Sequence, residues 1–172
     1  MAVQRRYERK EIIVSIEELL VAGAVGSWKT IVGRLSRIFE SADEEKLQRQ
    51  VAPGKNRVVY LLGHLIVAHD RMFPLMNLGP RLCPHLDDAY FDNPDRSRPD
   101  PAAPDELRAA WIEVNSKLTS VFESLTAAQW LEKHSEVSPG EFAKDPARNR
   151  LAILLSRTNH AAFHTGQIIL TK

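Results

Sequence analysis

A chain of 172 residues, 44% hydrophobic and 26% charged, has the make-up of one soluble globular domain with room for a sizeable core. Its 23 Lys and Arg against 22 Asp and Glu leave a net charge of +1, which gives no basic footprint for nucleic acid or an anionic membrane surface. No run of about 18 apolar residues predicts a membrane span. The start MAVQRRYERKEIIVS lacks a signal peptide's apolar stretch, and the single cysteine, Cys83, excludes an internal disulfide and fits a reducing, cytoplasmic location.

Apolar residues recur with helical period in four segments, and no alternating stretch predicts a strand, so an all-α fold is expected. The first helix is predicted from about Glu8 to Phe39, with Ile12, Ile16, Leu19, Leu20, Trp28, Ile31, Leu35 and Ile38 as its stripe. Gly23, Gly26 and Gly33 predict a bend or a close helix contact within it. Ser41-Ala42-Asp43-Glu44 then opens a short helix ahead of Pro53-Gly54. The second long helix is predicted from about Arg57 to Met76, with Leu61, Leu65, Ala68 and Met72 on one side and a kink or stop at Pro74.

From Asn77 to Ala103 the helical pattern lapses, and this stretch holds five of the ten prolines together with Asp87, Asp88, Asp92 and Asp95. A loop this long inside one domain is usually functional or disordered. Tyr90-Phe91 would dock it over the helices as a lid or onto a partner subunit; the alternative is an acidic surface loop. The third long helix, from Pro104 to Leu125, carries Leu107, Trp111, Val114, Leu118, Val121 and Phe122. Capping boxes from Thr126 to Gln129 and from Ser138 to Glu141 predict two short helices. Asp145-Pro146 reads as the N-cap and first residue of a fourth helix running to Leu170, apolar enough to lie deep.

His160 and His164 stand four apart on that helix, which puts them on one face, about 5–6 Å apart at Cβ and able to aim at one point. His64 lies on an apolar face of the second helix. A buried imidazole needs hydrogen-bond partners on both nitrogens, or a metal on one of them. Two readings follow: three metal ligands with an open coordination position, or three core histidines satisfied by backbone and water. His69, about 140° round the helix from His64, is out of register with a shared metal and belongs in the core or at a subunit contact. His85 and His134 are expected at the surface, with Cys83 a bystander.

The H-E-x-x-H peptidase motif is absent: Ala161 stands where its general-base glutamate belongs, and no carboxylate lies within a turn of either histidine on this helix. Three imidazoles with an open position would let zinc polarise an oxygen or sulfur ligand, and imidazole suits zinc, nickel, copper and iron alike. Gln167, Asn159 and Tyr60 are candidates for orienting the rings. Arg157 either binds an anionic substrate or pairs with a carboxylate.

The run Gly54-Lys55-Asn56-Arg57-Val58-Val59-Tyr60-Leu61-Leu62-Gly63-His64-Leu65, followed downstream by Asn159-His160-x-x-x-His164-x-Gly166-Gln167, resembles the DinB-like superfamily of damage-inducible four-helix proteins over nearly the whole chain. The resemblance implies one domain over 1–172: a four-helix bundle with a long crossover connection at 77–103. It also implies a divalent metal, zinc or nickel, held by His64, His160 and His164, and a homodimer. The biochemically understood relatives further imply a low-molecular-weight thiol such as mycothiol, bacillithiol or glutathione. The chain then stands as a metal-dependent thiol S-transferase or hydrolase, with Arg157 or Tyr60 placing the substrate, or as a non-catalytic, metal-stabilised stress-response homodimer. The missing general base favours the second; a crossover capping the metal would favour the first.

Overall fold

The computed structural model describes residues 14–171. Among these residues the chain forms α1 (Ile16–Ser41), α2 (Glu44–Gln48), α3 (Val58–Asp70), α4 (Met72–Leu75), α5 (Asp87–Tyr90), α6 (Pro104–Ser124), α7 (Ala127–Trp130), α8 (Pro139–Lys144) and α9 (Arg150–Ile169). No strand appears among them, only the isolated bridges of Gln50 with Arg57 and Lys133 with Asn149. Nor is any described helix long and apolar enough to cross a membrane.

A capping box opens α1: the Ser15 hydroxyl accepts from the Glu18 N–H, and the Glu18 carboxylate accepts from the Ser15 N–H. The part of the predicted first helix before Val14 lies outside the described residues. The close helix contact expected at the α1 glycines is not found. The helix runs unbroken, and a Cβ at Gly23 or Gly26 would meet nothing within 4 Å. Its apolar stripe is buried from Ala24 onward, whereas Ile16, Leu19 and Leu20 face solvent.

Aromatic contacts set the helix directions. Trp28 packs on Phe122 at 5.6 Å and Phe39 on Trp111 at 5.3 Å, which makes α1 and α6 antiparallel. Arg57, just before α3, binds Asp100 just ahead of α6, and His69 at the end of α3 bonds Asn115 within α6, so α3 runs the same way as α6 and against α1. Two successive long helices, α3 and α6, are therefore parallel, and the stretch 77–103 has to carry the chain back along the length of the molecule. α9 starts beside α7, where the Arg150 N–H donates to the Glu132 carbonyl at 3.0 Å, and packs chiefly on α1.

Two sequence expectations shift by about a turn, each for a local reason. The second helix breaks at Arg71 rather than at Pro74, because proline has no N–H for the carbonyl four residues back, that of Asp70. The fourth helix is capped by Asn149, whose side chain accepts from the Ala152 N–H at 3.0 Å. Asp145 instead ends α8 and accepts from the Ala147 N–H. α9 is also shallower than its composition suggested: Leu154, Ala161 and Ile168 are buried, but Leu155, Phe163, Ile169 and Leu170 are exposed.

The crossover is packed down by charge. The buried Asp70 carboxylate accepts from Arg81 and from the Leu82 and Cys83 N–H groups. Asp87 binds both Arg71 and Arg81, and Arg57 grips Asp95 and Asp100. Asp87 and Asp95, open in sequence to either a docked segment or an acidic surface loop, are thus tethers between the crossover and the helices.

Candidate metal centre

Three side chains from two helices converge. The His64 Nε2 lies 3.2 Å from the His160 Nε2, and the His164 Nε2 lies 3.0 Å from that same atom. All three nitrogens fall within 4.8 Å of one another. Hydrogen bonds on the far side of two rings decide which nitrogen carries the proton. The His64 Nδ1–H donates to the Tyr90 carbonyl at 3.1 Å, and the His164 Nδ1–H donates to the Gln167 Oε1 at 2.8 Å. Both partners accept only, so both Nε2 atoms present lone pairs. The His160 Nε2 can satisfy them with one proton at most, and its Nδ1 is buried without a partner.

Burial pushes the His64 and His164 pKa values below the ordinary imidazole value, and burial together with its two neighbours takes His160 down to about 4. The three rings are neutral at pH 7, the state a ligand needs. This donor set fits a cation. Tetrahedral zinc with bonds of about 2.0–2.1 Å to imidazole would space neighbouring nitrogens by about 3.3–3.4 Å, close to the 3.2 and 3.0 Å from the His160 Nε2 to its two neighbours. No fourth His, Cys, Asp or Glu joins the cluster among the described residues.

The Gly-His pair of α3 has a steric reason. A Cβ at Gly63 would sit 2.3 Å from the Tyr90 ring, so only glycine lets the crossover approach closely enough for the Tyr90 carbonyl to reach His64. The next residue, Phe91, lies nearly parallel to the His64 ring at 5.4 Å, and Tyr60 flanks that ring at 6.3 Å. The Tyr60 hydroxyl donates to the Asn93 carbonyl at 2.8 Å, which ties it to the crossover.

Within this arrangement the chain matches the model of the DinB superfamily over residues 28–168. The chain belongs to the DinB superfamily. No curated protein matches it.

Of the ring-orienting candidates in this DinB-superfamily chain, Gln167 holds His164. Tyr60 only flanks its ring, and Asn159 is exposed and bonds no histidine. The Tyr90 carbonyl had no sequence signal of its own, since any residue carries one; the aromatic pair at 90–91 in an otherwise polar crossover was the available hint. Arg157 forms no ion pair with a carboxylate among the described residues. His69 is wholly buried, donates from Nδ1 to the Asn115 Oδ1 at 2.8 Å and is pushed down to about 3 by burial, which makes it a core residue and rules out a subunit contact. His85 is exposed as expected, but His134 is buried. The segment after α7 folds onto α4, where the Ser135 N–H donates to the Leu75 carbonyl, and covers it. Cys83 is buried, its thiol raised to about 11 chiefly by burial, so it is inert at neutral pH.

Proposed function

We propose that His64, His160 and His164 hold one divalent cation, zinc or nickel, and that this centre belongs to a metal-dependent transferase or hydrolase. The observation that carries the reading is the convergence of three neutral Nε2 atoms, two of them with tautomers fixed by acceptors behind the ring. When bound, the ion supplies Lewis acidity, polarising an oxygen or sulfur ligand at a position the protein leaves open. The residues do the rest: the Tyr90 carbonyl and Gln167 hold two rings in place, and Phe91 shields one side of the cluster from water. The lack of a fourth protein donor supports an enzyme over a purely structural clamp, which would be closed. A low-molecular-weight thiol is the co-substrate class in keeping with the family resemblance.

The test is metal content by mass spectrometry on tag-free protein, beside His160→Ala and a His64→Ala/His164→Ala double variant. About one metal per chain in the wild type and none in either variant is expected. No metal in the wild type after incubation with zinc and with nickel would overturn the reading. A homodimer is the second part of the proposal, favoured by the exposed Leu155, Phe163 and Leu170 on α9.

A further inference from the structure

Partly buried arginines in this chain come with partners. Arg57 binds Asp95 and Asp100, Arg71 binds Asp87 and Asp92, and Arg81 binds Asp70 and Asp87. Arg108 reaches Asp105 and two carbonyls, and Arg150 reaches Glu132. Arg157 is the exception among the described residues. Its Nε is sealed from solvent with no acceptor, and its terminal nitrogens, open to solvent, bond nothing. It feels the charge of the exposed Glu136 but forms no ion pair with it.

Its place in the fold gives this a direction. Arg157 precedes His160 by three residues and His164 by seven, on the same stripe of α9, at axial distances of about 4.5 and 10.5 Å. The Phe91 ring, stacked beside His64, carries the Arg71 guanidinium 3.8 Å from its centroid, so one aromatic wall runs from the histidines to Arg71. Arg71 is itself neutralised by Asp87 and Asp92. Among the described residues, that leaves Arg157 as the unmatched cation beside the centre. Holding a guanidinium half out of water without a counter-charge is unfavourable, and an anion supplied from outside removes the penalty. The planar guanidinium fork takes a carboxylate or phosphate through two parallel hydrogen bonds.

We propose that Arg157 recognises the anionic end, a carboxylate or phosphate group, of a small substrate that lies along Phe91 with its reacting end at the three histidines. The placement of the reacting end rests on the metal reading above; recognition of the anion stands on Arg157 itself.

The experiment is calorimetric titration of zinc-loaded wild type, Arg157→Gln and Arg157→Lys with 3-mercaptopropionate, 2-mercaptoethanol, propionate and inorganic phosphate. In the wild type, 3-mercaptopropionate, which carries a zinc donor and an acid, should bind about 10–100-fold more tightly than 2-mercaptoethanol, the range of a charged hydrogen-bonded contact. Arg157→Gln should abolish that difference while leaving 2-mercaptoethanol affinity and zinc content unchanged. Arg157→Lys, with a charge but no fork, should fall between. Arg157→Gln should also melt at or above the wild-type temperature, since no ion pair is lost; a purely structural arginine would lower it. Propionate against phosphate, each titrated into metal-free protein, distinguishes the two anion classes. Equal affinities for the acid probes in wild type and Arg157→Gln would overturn the proposal, as would the absence of anion binding in both loaded and metal-free protein. If the wild type holds no zinc but anion binding still depends on Arg157, the metal reading fails and the anion site stands.

Discussion

At position 63 a methyl group would lie 2.3 Å from the Tyr90 ring, and that one distance links a backbone preference to a ligand's orientation. Gly63→Ala should destabilise the protein by about 1–3 kcal/mol through overpacking, read as a lower urea midpoint. It should also lift the Tyr90 carbonyl off His64 and weaken zinc binding about tenfold or more in a chelator competition. Gln167→Leu makes the same point with less disturbance to the fold: stability near wild type, zinc affinity down by about 10–100-fold. His69 supplies a pH dependence at this scale. Its ordinary value of 6.5 is depressed to about 3 in the folded protein, so below 6.5 the unfolded chain takes up a proton that the folded one refuses. The stability it contributes is present above 6.5 and is lost as the pH falls toward about 3. Urea midpoints of metal-free protein should therefore drop across that window, and His69→Gln, which keeps a donor for Asn115, should flatten the drop.

Capping and tethering govern the elements. The start of α9 tests which polar residue is the cap: Asn149→Ala should cost about 1 kcal/mol, whereas Asp145→Ala should cost a few tenths. Thermal denaturation of the two variants distinguishes the observed start from the one read off Asp145-Pro146. The crossover is held at its far end by Arg57, only 10% exposed in its side chain, against Asp95 at 6%. Their contact holds the Arg57 pKa up and the Asp95 pKa down. Removing the arginine strands a buried carboxylate, so Arg57→Ala should cost about 3–5 kcal/mol and open the stretch between α4 and α6 to proteolysis. Replacing Arg57, Asp95 and Asp100 together with apolar residues should cost less than Arg57→Ala alone.

For the whole molecule, a cation held as proposed by the three histidines would be a fastener between helices. His64 comes from α3 and the other two histidines from α9, while the contact between those helices is modest beside that of α9 with α1. A cation bound only in the folded state raises the melting temperature by mass action. Chelator should therefore lower the wild-type melting temperature and leave that of His160→Ala unmoved. If the exposed face of α9 closes a homodimer, Phe163→Glu should halve the mass measured by light scattering without loss of helix.

The helical period of Leu107, Trp111, Val114, Leu118 and Phe122 determined α6 almost to the residue, because its apolar positions and its Pro104 start are both local facts. The same holds for the facing pair His160 and His164, which one helix suffices to place. Capping was local too, yet Asp145 and Asn149 offered rival starts, and only the packing of Arg150 against Glu132 decided between them. What no local pattern held was the pairing across the molecule. That His64 rather than His69 meets the α9 pair was implied by its helical face, but it became geometry only when the crossover brought the Tyr90 carbonyl behind the ring. The acidic residues of that crossover read equally as a solvated surface, because an aspartate's role depends on whether an arginine from another element reaches it. Asp87 and Asp95 met arginines; Arg157 met no carboxylate among the described residues. Composition and periodicity fixed the helices and one face of the site, while charge partners and the carbonyl that aims His64 depend on contacts between residues distant in sequence, which only the tertiary structure decides.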